Sequence, residues 1–569
     1  MKLIYILSAF LILMSCTREM EFSPLGELGD ANFWGDPNLS ETFVNGIYYT
    51  LIKADEYMQE ENLSDNGYTA MEWISTNSWI LGHITSTTIE RDWQMSNDYR
   101  GAAWETGCET FWQLNYRELR KANLAIQQLS IQDWGNEEKR RKRLLGEAYF
   151  LRAYKYFDIY KRYGAFIVVD KPLTFEDDLN LPRNSEDECV EFMSNDCDSA
   201  AFYLPWQQAS TEQGRATKGA SLSLKGRVLL FGEKWAESAE TSKAVLDAAG
   251  ETGYQLYPDY SKVFSPTNKY NSEVVFDISM QEPLQAWYPL WGPNSYGGWG
   301  GTCPTQDLVD EYEYIDGKIG EASQYYDPQN PWDNRDPRFY ATIMYDGGVY
   351  WGHYYQVGEG VDGAGDVING GNYGSHNTYT GYNTWKWFEP EMDPWNASEK
   401  EHPNYGVNVI VIRYAEVYLN YAEAKNEASG PDQSVYDAVN AVRARAGMPA
   451  LASGLNQEQM RKAIRHERRI ELAFEWSRIW DVLRWKDESL LVKPITIVNV
   501  IYELDLNEEG IPLTNSEDAR LPYVIKSRTI EYDTLIEHNV NLKDFGYHWP
   551  IPQTEIDKNP NLVQNSSAN

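Results

Sequence analysis

Beyond Met14 the chain has no apolar run long enough to span a bilayer, which excludes a helical integral membrane protein. Positive charge is also scarce. Lys and Arg number 50 against 85 Asp and Glu, a formal net charge of −35. No basic face is available to displace counterions from phosphates, so nucleic acid is excluded as a partner, and so is peripheral binding to anionic lipid. Cysteines number five in 569 residues, with no CxxC pair and no zinc spacing. Cys189 and Cys197 fall on one helical face with Met193 between them. Their eight-residue separation rises about 12 Å along a helix, too far for a disulfide, so both read as small core residues.

Motifs of bond chemistry are missing too. Gly358 to Gly363 matches GxGxxG, but the helix that would face a pyrophosphate does not follow it. His466-Glu467 opens like HExxH and lacks the second histidine. There is no GxSxG and no P-loop. A glycosidase needs two carboxyls about 5–9 Å apart, and nothing selects such a pair among the many Asp and Glu. The expectation is therefore no cofactor, no metal, no catalytic residue and no enzymatic activity.

What is present begins at the N-terminus. Lys2 precedes an apolar stretch from Ile4 to Met14, and Leu13-Met14-Ser15-Cys16 has the pattern of a lipoprotein cleavage site. Residues 1–15 are then a signal peptide and Cys16 is the lipidated N-terminus, since two or more acyl chains hold a protein firmly to a membrane. Residues 16–35, polar with Pro24 and several glycines, read as a tether.

Helical periodicity dominates two regions, 36–253 and 406–569. Leu114, Ala122, Ala125, Ile126 and Leu129 share a face. Leu145, Tyr149, Ala153, Tyr156, Tyr160 and Tyr163 line one side of the next helix, and Phe150, Leu151, Tyr154 and Phe157 the other. A helix apolar nearly all round must be sandwiched between neighbours. Ser185 to Glu188 forms a capping box. Further helices are expected over 217–232 and over 235–249, the second stopped by Gly250. In the later region Val411, Ala415, Tyr418, Leu419 and Ala422 form a face ended by Gly430-Pro431. Val435, Ala438, Val439, Val442 and Ala446 form the next, and Asn456 with Gln459 caps a third that runs through Ile464, Ile470 and Phe474. Short turns between such helices imply antiparallel pairs in series. The fold class is mostly α, a tetratricopeptide-like helix-pair scaffold with a loop-rich, partly β region, and 36–569 forms one compact unit.

That region, 254–405, is rich in Gly, Pro, Trp and Tyr and holds one clear strand, Glu273 to Ser279. A second non-helical stretch spans 58–103. The chain carries 21 Trp, 40 Tyr and 18 Phe. Rings with an apolar face and a polar tip suit sugars, which are amphipathic. The candidate ligand-binding residues are Trp73, Trp79, Trp93, Trp287, Trp291, Tyr296 and Trp299.

The chain resembles the SusD/RagB family of Bacteroidetes lipoproteins. The resemblance rests on stretches standing in family order: Gly146-Glu-Ala-Tyr-Phe-Leu-Arg-Ala-Tyr154, Tyr160-Lys-Arg-Tyr-Gly164, Arg215 to Ala220, Gly253 to Tyr257, Glu273 to Phe276, Asp336-Pro-Arg-Phe339, Arg413 to Ala424, Val442 to Gly447, Arg465 to Leu472, His548 to Gln553 and Asn559 to Leu562. It implies a binding protein that captures oligosaccharides at the cell surface and hands them to a SusC-type TonB-dependent transporter in the outer membrane. A peptide-binding branch of the family is the alternative, and a glycoside hydrolase a more distant one. Tyr296 to Gly301, ahead of Cys303 to Leu308, resembles a family segment near the ligand face. Arg465, Glu467, Arg468 and Glu471 are spaced for ion pairs along a helix and for contacts with neighbouring repeats, and read as architecture.

Overall fold

The computed structural model describes residues 30–51, 60–69, 79, 82, 84–87, 111–279, 292–293, 300–355, 357, 378–388, 408–511, 513, 524–540 and 542–566. Cys16, Cys108 and the 358–363 glycine motif lie outside them.

Helices α1 (Asp30–Gly35) and α2 (Pro37–Tyr48) begin the fold. The first lies inside the stretch read as a tether. Its Trp34 is buried and meets the Phe43 ring edge-on at 4.9 Å, so the core already starts there. The long helices α3 (Phe111–Ile131) and α4 (Glu138–Tyr163) follow, then α5 (Glu186–Tyr203), α6 (Lys218–Phe231) and α7 (Trp235–Asp247). Each of α3 to α7 packs on the next. The all-round apolar surface of α4 has the expected consequence: α2, α3, α5 and α6 all pack against it. One charge on α4, Arg152, is buried and forks onto Asp196 of α5 at 2.7 and 2.6 Å. The capping box at Ser185 and Glu188 is formed. Gly250, however, stops nothing. A short helix runs through it, Ala249–Thr252, and the chain turns at Gly253, whose φ of +70° suits a residue without a Cβ.

After the loop-rich region come α8 (Tyr414–Ser429), α9 (Gln433–Arg445), α10 (Gln457–Glu471) and α11 (Arg478–Trp485). Helix α8 packs on α7, so the stack continues across the intervening chain, and α9 and α10 close it. Asn456 and Gln459 form the second capping box. Phe474 lies beyond the end of α10.

The strands are few and paired two by two among the described residues. Besides the two-residue strands Val349–Tyr350 and His353–Tyr354, which pair with each other, they are β1 (Gly67–Tyr68), β2 (Val274–Ile278), β3 (Cys303–Pro304), β4 (Ile343–Met344), β5 (Asn383–Thr384), β6 (Val409–Arg413), β7 (Val492–Leu504) and β8 (Ile525–Asn539). The pairs are β1–β3, β2–β6, β4–β5 and β7–β8, all antiparallel. Two sequence expectations are corrected here. Val411 belongs to β6 rather than to a helical face, because β2 offers its backbone a partner. And 406–569 is not all helical: β7 and β8 form a long hairpin burying Ile495, Ile497, Val498, Val500 and Tyr502.

Candidate functional site

The inserted region is organised by rings packed on rings. Trp332 lies 5.6 Å from Tyr345, and Trp385 lies 4.9 Å from both Tyr350 and Trp351. The polar tips are satisfied internally. Trp332 Nε1 donates to Tyr382 Oη at 3.0 Å, Tyr382 Oη to Gln306 Oε1 at 2.7 Å, and Tyr350 Oη to the Ile343 carbonyl at 2.9 Å. Trp387 stacks on Trp476 at 5.3 Å, tying this region to the segment after α10. Much of the aromatic excess is thus the core of the insertion itself.

On this base two described stretches, 292–293 and 300–305, meet as the closed ends of one loop. Gly300 N donates to the Gly292 carbonyl at 2.9 Å. Its exit is gripped from two sides. Asn62 Nδ2 donates to the Gly301 carbonyl at 3.1 Å and to Thr302 Oγ1 at 3.0 Å, and β1 pairs with β3. From the other side Thr384 Oγ1 donates to the Thr302 carbonyl at 3.1 Å.

Of the sequence-selected aromatics, Trp79 falls within the description, and it is a correction. It is fully buried, donates Nε1 to the Leu63 carbonyl at 2.9 Å and meets Trp549 edge-on at 5.9 Å. Neither ring face is open to a ligand. Trp73, Trp93, Trp287, Trp291, Tyr296 and Trp299 lie outside the described residues. Tyr296 and Trp299 fall between the joined ends of the loop in sequence.

Sequence reasoning did not find the buried ionic lattice under this region. Arg338, on the short helix Pro337–Thr342, reaches Asp336 at 2.7 Å, Glu467 at 2.5 Å and Glu471 at 2.8 Å. Arg413, closing β6, reaches Glu273 at 2.7 Å, Glu471 at 2.6 Å and Glu475 at 2.6 Å. Arg443 and Arg445 of α9 add bonds to Glu467, Glu273 and Glu471. Glu467 and Glu471 therefore face other elements rather than pair along their own helix. Burial would raise the Glu471 carboxyl, but three arginines outweigh it and hold it far below the ordinary carboxylate range. Glu423 and Asp481, a second close acid pair, are likewise held down by Arg484 and Arg468. The arginines thus favour the ionised form of these carboxylates. No cluster of metal-binding side chains occurs among the described residues, and no helix there is long and apolar enough to cross a membrane.

The family model described as "SusD family" matches residues 247–567, more than half of the chain. The chain belongs to the SusD family. A second SusD-like model, described as "Starch-binding associating with outer membrane", matches residues 39–230. SusD-like protein P25 of Formosa agariphila is 25% identical over 574 residues, covering 98% of this chain and 96% of its own length. The crystal structure of a SusD-like protein from Bacteroides fragilis superposes with a TM-score of 0.76 at 29% identity, covering 95% of this chain and 99% of that one. A SusD-like carbohydrate binding protein from the same organism shares the fold, with a TM-score of 0.72 at 24% identity over 93% of this chain and 100% of its own. The tetratricopeptide-like helix stack and its inserted region are thus the SusD architecture.

Proposed function

We propose that this SusD-family protein captures oligosaccharides at the cell surface and passes them to a SusC-type TonB-dependent transporter in the outer membrane. Its ligand site centres on Trp287, Trp291, Tyr296 and Trp299, with Trp73 and Trp93 as further contacts, and Cys16 carries the lipid anchor. The observation that carries the reading is the closed base of the loop. Gly292 and Gly300 are hydrogen-bonded, and the grip of Asn62 and Thr384 fixes the exit strand. A rigid base under a short aromatic segment lowers the ordering cost of binding. The outer-membrane starch-binding description of the matched model and the carbohydrate binding named for a structural relative support the same ligand class.

The test is isothermal titration of the chain from Thr17 onward against glycan and peptide panels. Glycan binding without turnover is the expected result. Binding confined to peptides would replace the ligand class, and glycan cleavage would replace the whole reading. In the Trp299→Ala variant affinity should drop by about tenfold, on the order of 1.4 kcal/mol, with an unchanged circular dichroism spectrum. Unchanged affinity would move the site elsewhere.

A further inference from the structure

Three buried acids stand together in the segment 60–65, and they are held differently. Glu60 is paired with Arg162, and Asp65 with Arg469, Arg478 and Lys493. Glu61 is fully buried and has no ion pair among the described residues. Among the described residues its carboxylate accepts from neutral donors alone. Oε1 takes Asn66 Nδ2 at 2.9 Å and Phe474 N at 3.1 Å, and Oε2 takes Trp476 N at 3.2 Å. Phe474 and Trp476 both have left-handed backbones, with φ of +58° and +60°. Large side chains adopt that conformation at a cost of roughly 1–2 kcal/mol each. The segment after α10 is thus folded into a nest whose N–H groups converge on one carboxylate.

The residue after Glu61 is Asn62, which grips Gly301 and Thr302 at the exit of the closed loop. Four residues on, the Asn66 carbonyl accepts from Thr305 N at 3.0 Å, and the Asp65 carbonyl accepts from Thr305 Oγ1 at 2.7 Å. The same short segment therefore carries the anion in the nest and the hand on the loop.

We infer that Glu61 is a positioning residue for the ligand site, and that its charge state sets how tightly residues 300–305 are held and so how well ligand binds. The inference rests on the proposed glycan-binding reading of that loop. Ionised, both oxygens accept. Protonated, one oxygen becomes a donor that faces a backbone N–H, and the nest loses a bond it needs to stay in its left-handed form. Burial pushes the Glu61 carboxyl up to about 7 against the lowering by its hydrogen bonds and by Lys386, so the change falls near neutral pH. Lys386 binds Glu475 at 2.6 Å and the Ala473 carbonyl at 2.7 Å. Burial lowers Lys386 to about 8, the alkaline side of the change. Glu475 is shared between Lys386 and Arg413, Arg469 of α10 donates to Asn66, and Glu60 and Asp65 keep their arginines.

A purely structural role makes the opposite prediction. A carboxyl raised by folding contributes stability at low pH and loses it as pH rises through the folded value. Global stability should thus improve on acidification while the hold on the loop weakens.

The experiment compares wild type with Glu61→Gln, whose amide mimics the protonated acid. Hydrogen exchange of residues 300–305, corrected for intrinsic rates, is followed from about pH 8 to about pH 6, together with affinity for maltoheptaose. In the wild type, protection of 300–305 should fall with pH and affinity by about fivefold or more, a typical coupling. Glu61→Gln should be loose at both ends of the range and flat between them. Equal protection in both proteins, or a wild-type loop whose protection ignores pH, overturns the inference whatever the ligand. Changed protection in a wild type that binds no maltoheptaose or other glycan leaves the clip standing and sinks the glycan reading alone. If Glu61→Gln does not fold, the wild-type exchange profile decides.

Discussion

Glu471 is ion-paired with Arg338, Arg413 and Arg445, which arrive from three different elements. Removing one partner of a buried pair strands the others without solvent, which costs about 3–5 kcal/mol. Glu471→Gln should therefore lose roughly that much in urea unfolding. The pH dependence follows from the sign of its shift. A carboxyl held below its unfolded value stabilises fully above the ordinary carboxylate range, and that contribution is lost as pH falls through and below it. Wild-type stability should decline on acidification there, and the variant should show a shallower decline. Parallel curves would mean that the charge of Glu471 is not what stabilises. At this scale the sequence was partly legible. The spacing of Glu467 and Glu471 marked them as architectural, but which arginines they meet depends on contacts more than a hundred residues away, as for Arg338. Trp79 shows the same limit from the other side. A tryptophan in an irregular stretch looks available, and only the position of Trp549 shows that it is core.

Helices were the readable elements because burial repeats along them every three or four residues. The apolar faces of α3 and α4 and the capping boxes of α5 and α10 are local patterns, and they are where the sequence placed them. The hairpin β7–β8 was missed although Ile495, Thr496, Ile497, Val498, Val500 and Ile501 carry the β-branched density of a strand. What seats the hairpin is a non-local contact. Gly381 sits at φ +83° with its missing Cβ directed at the Val498 carbonyl, where a methyl would come to 2.3 Å. Val498 N in turn donates to the Thr380 carbonyl at 3.0 Å. Gly381→Ala should destabilise by about 2–4 kcal/mol, overpacking and left-handed strain together. It should do so by freeing β7 from 378–384, read as faster hydrogen exchange in both segments. Exchange unchanged at both would place the hairpin's support elsewhere.

At the scale of the molecule, the chain leaves its helix stack after α7, builds an aromatic insertion, and returns to pack α8 back on α7. A loop-rich insertion on such a scaffold would ordinarily open on its own, since irregular segments lie at the low end of local stability. Here it is bolted down. Arg338 brings the charge of the insertion to Glu467 and Glu471 of α10, and Trp387 stacks on Trp476 just beyond that helix. Both contacts bury the insertion against elements that the stack itself needs. It follows that residues 332–355 and residues 411–429 should open together, with equal free energies of exchange as urea is raised. Arg338→Met keeps much of the side-chain bulk but removes the bolt. In that variant 332–355 should open at lower urea while 411–429 follows later, the signature of a cooperative unit split in two. If the two segments already open separately in wild type, the insertion is a passenger on the stack, and the ligand loop would have to draw its rigidity from the Glu61 segment alone.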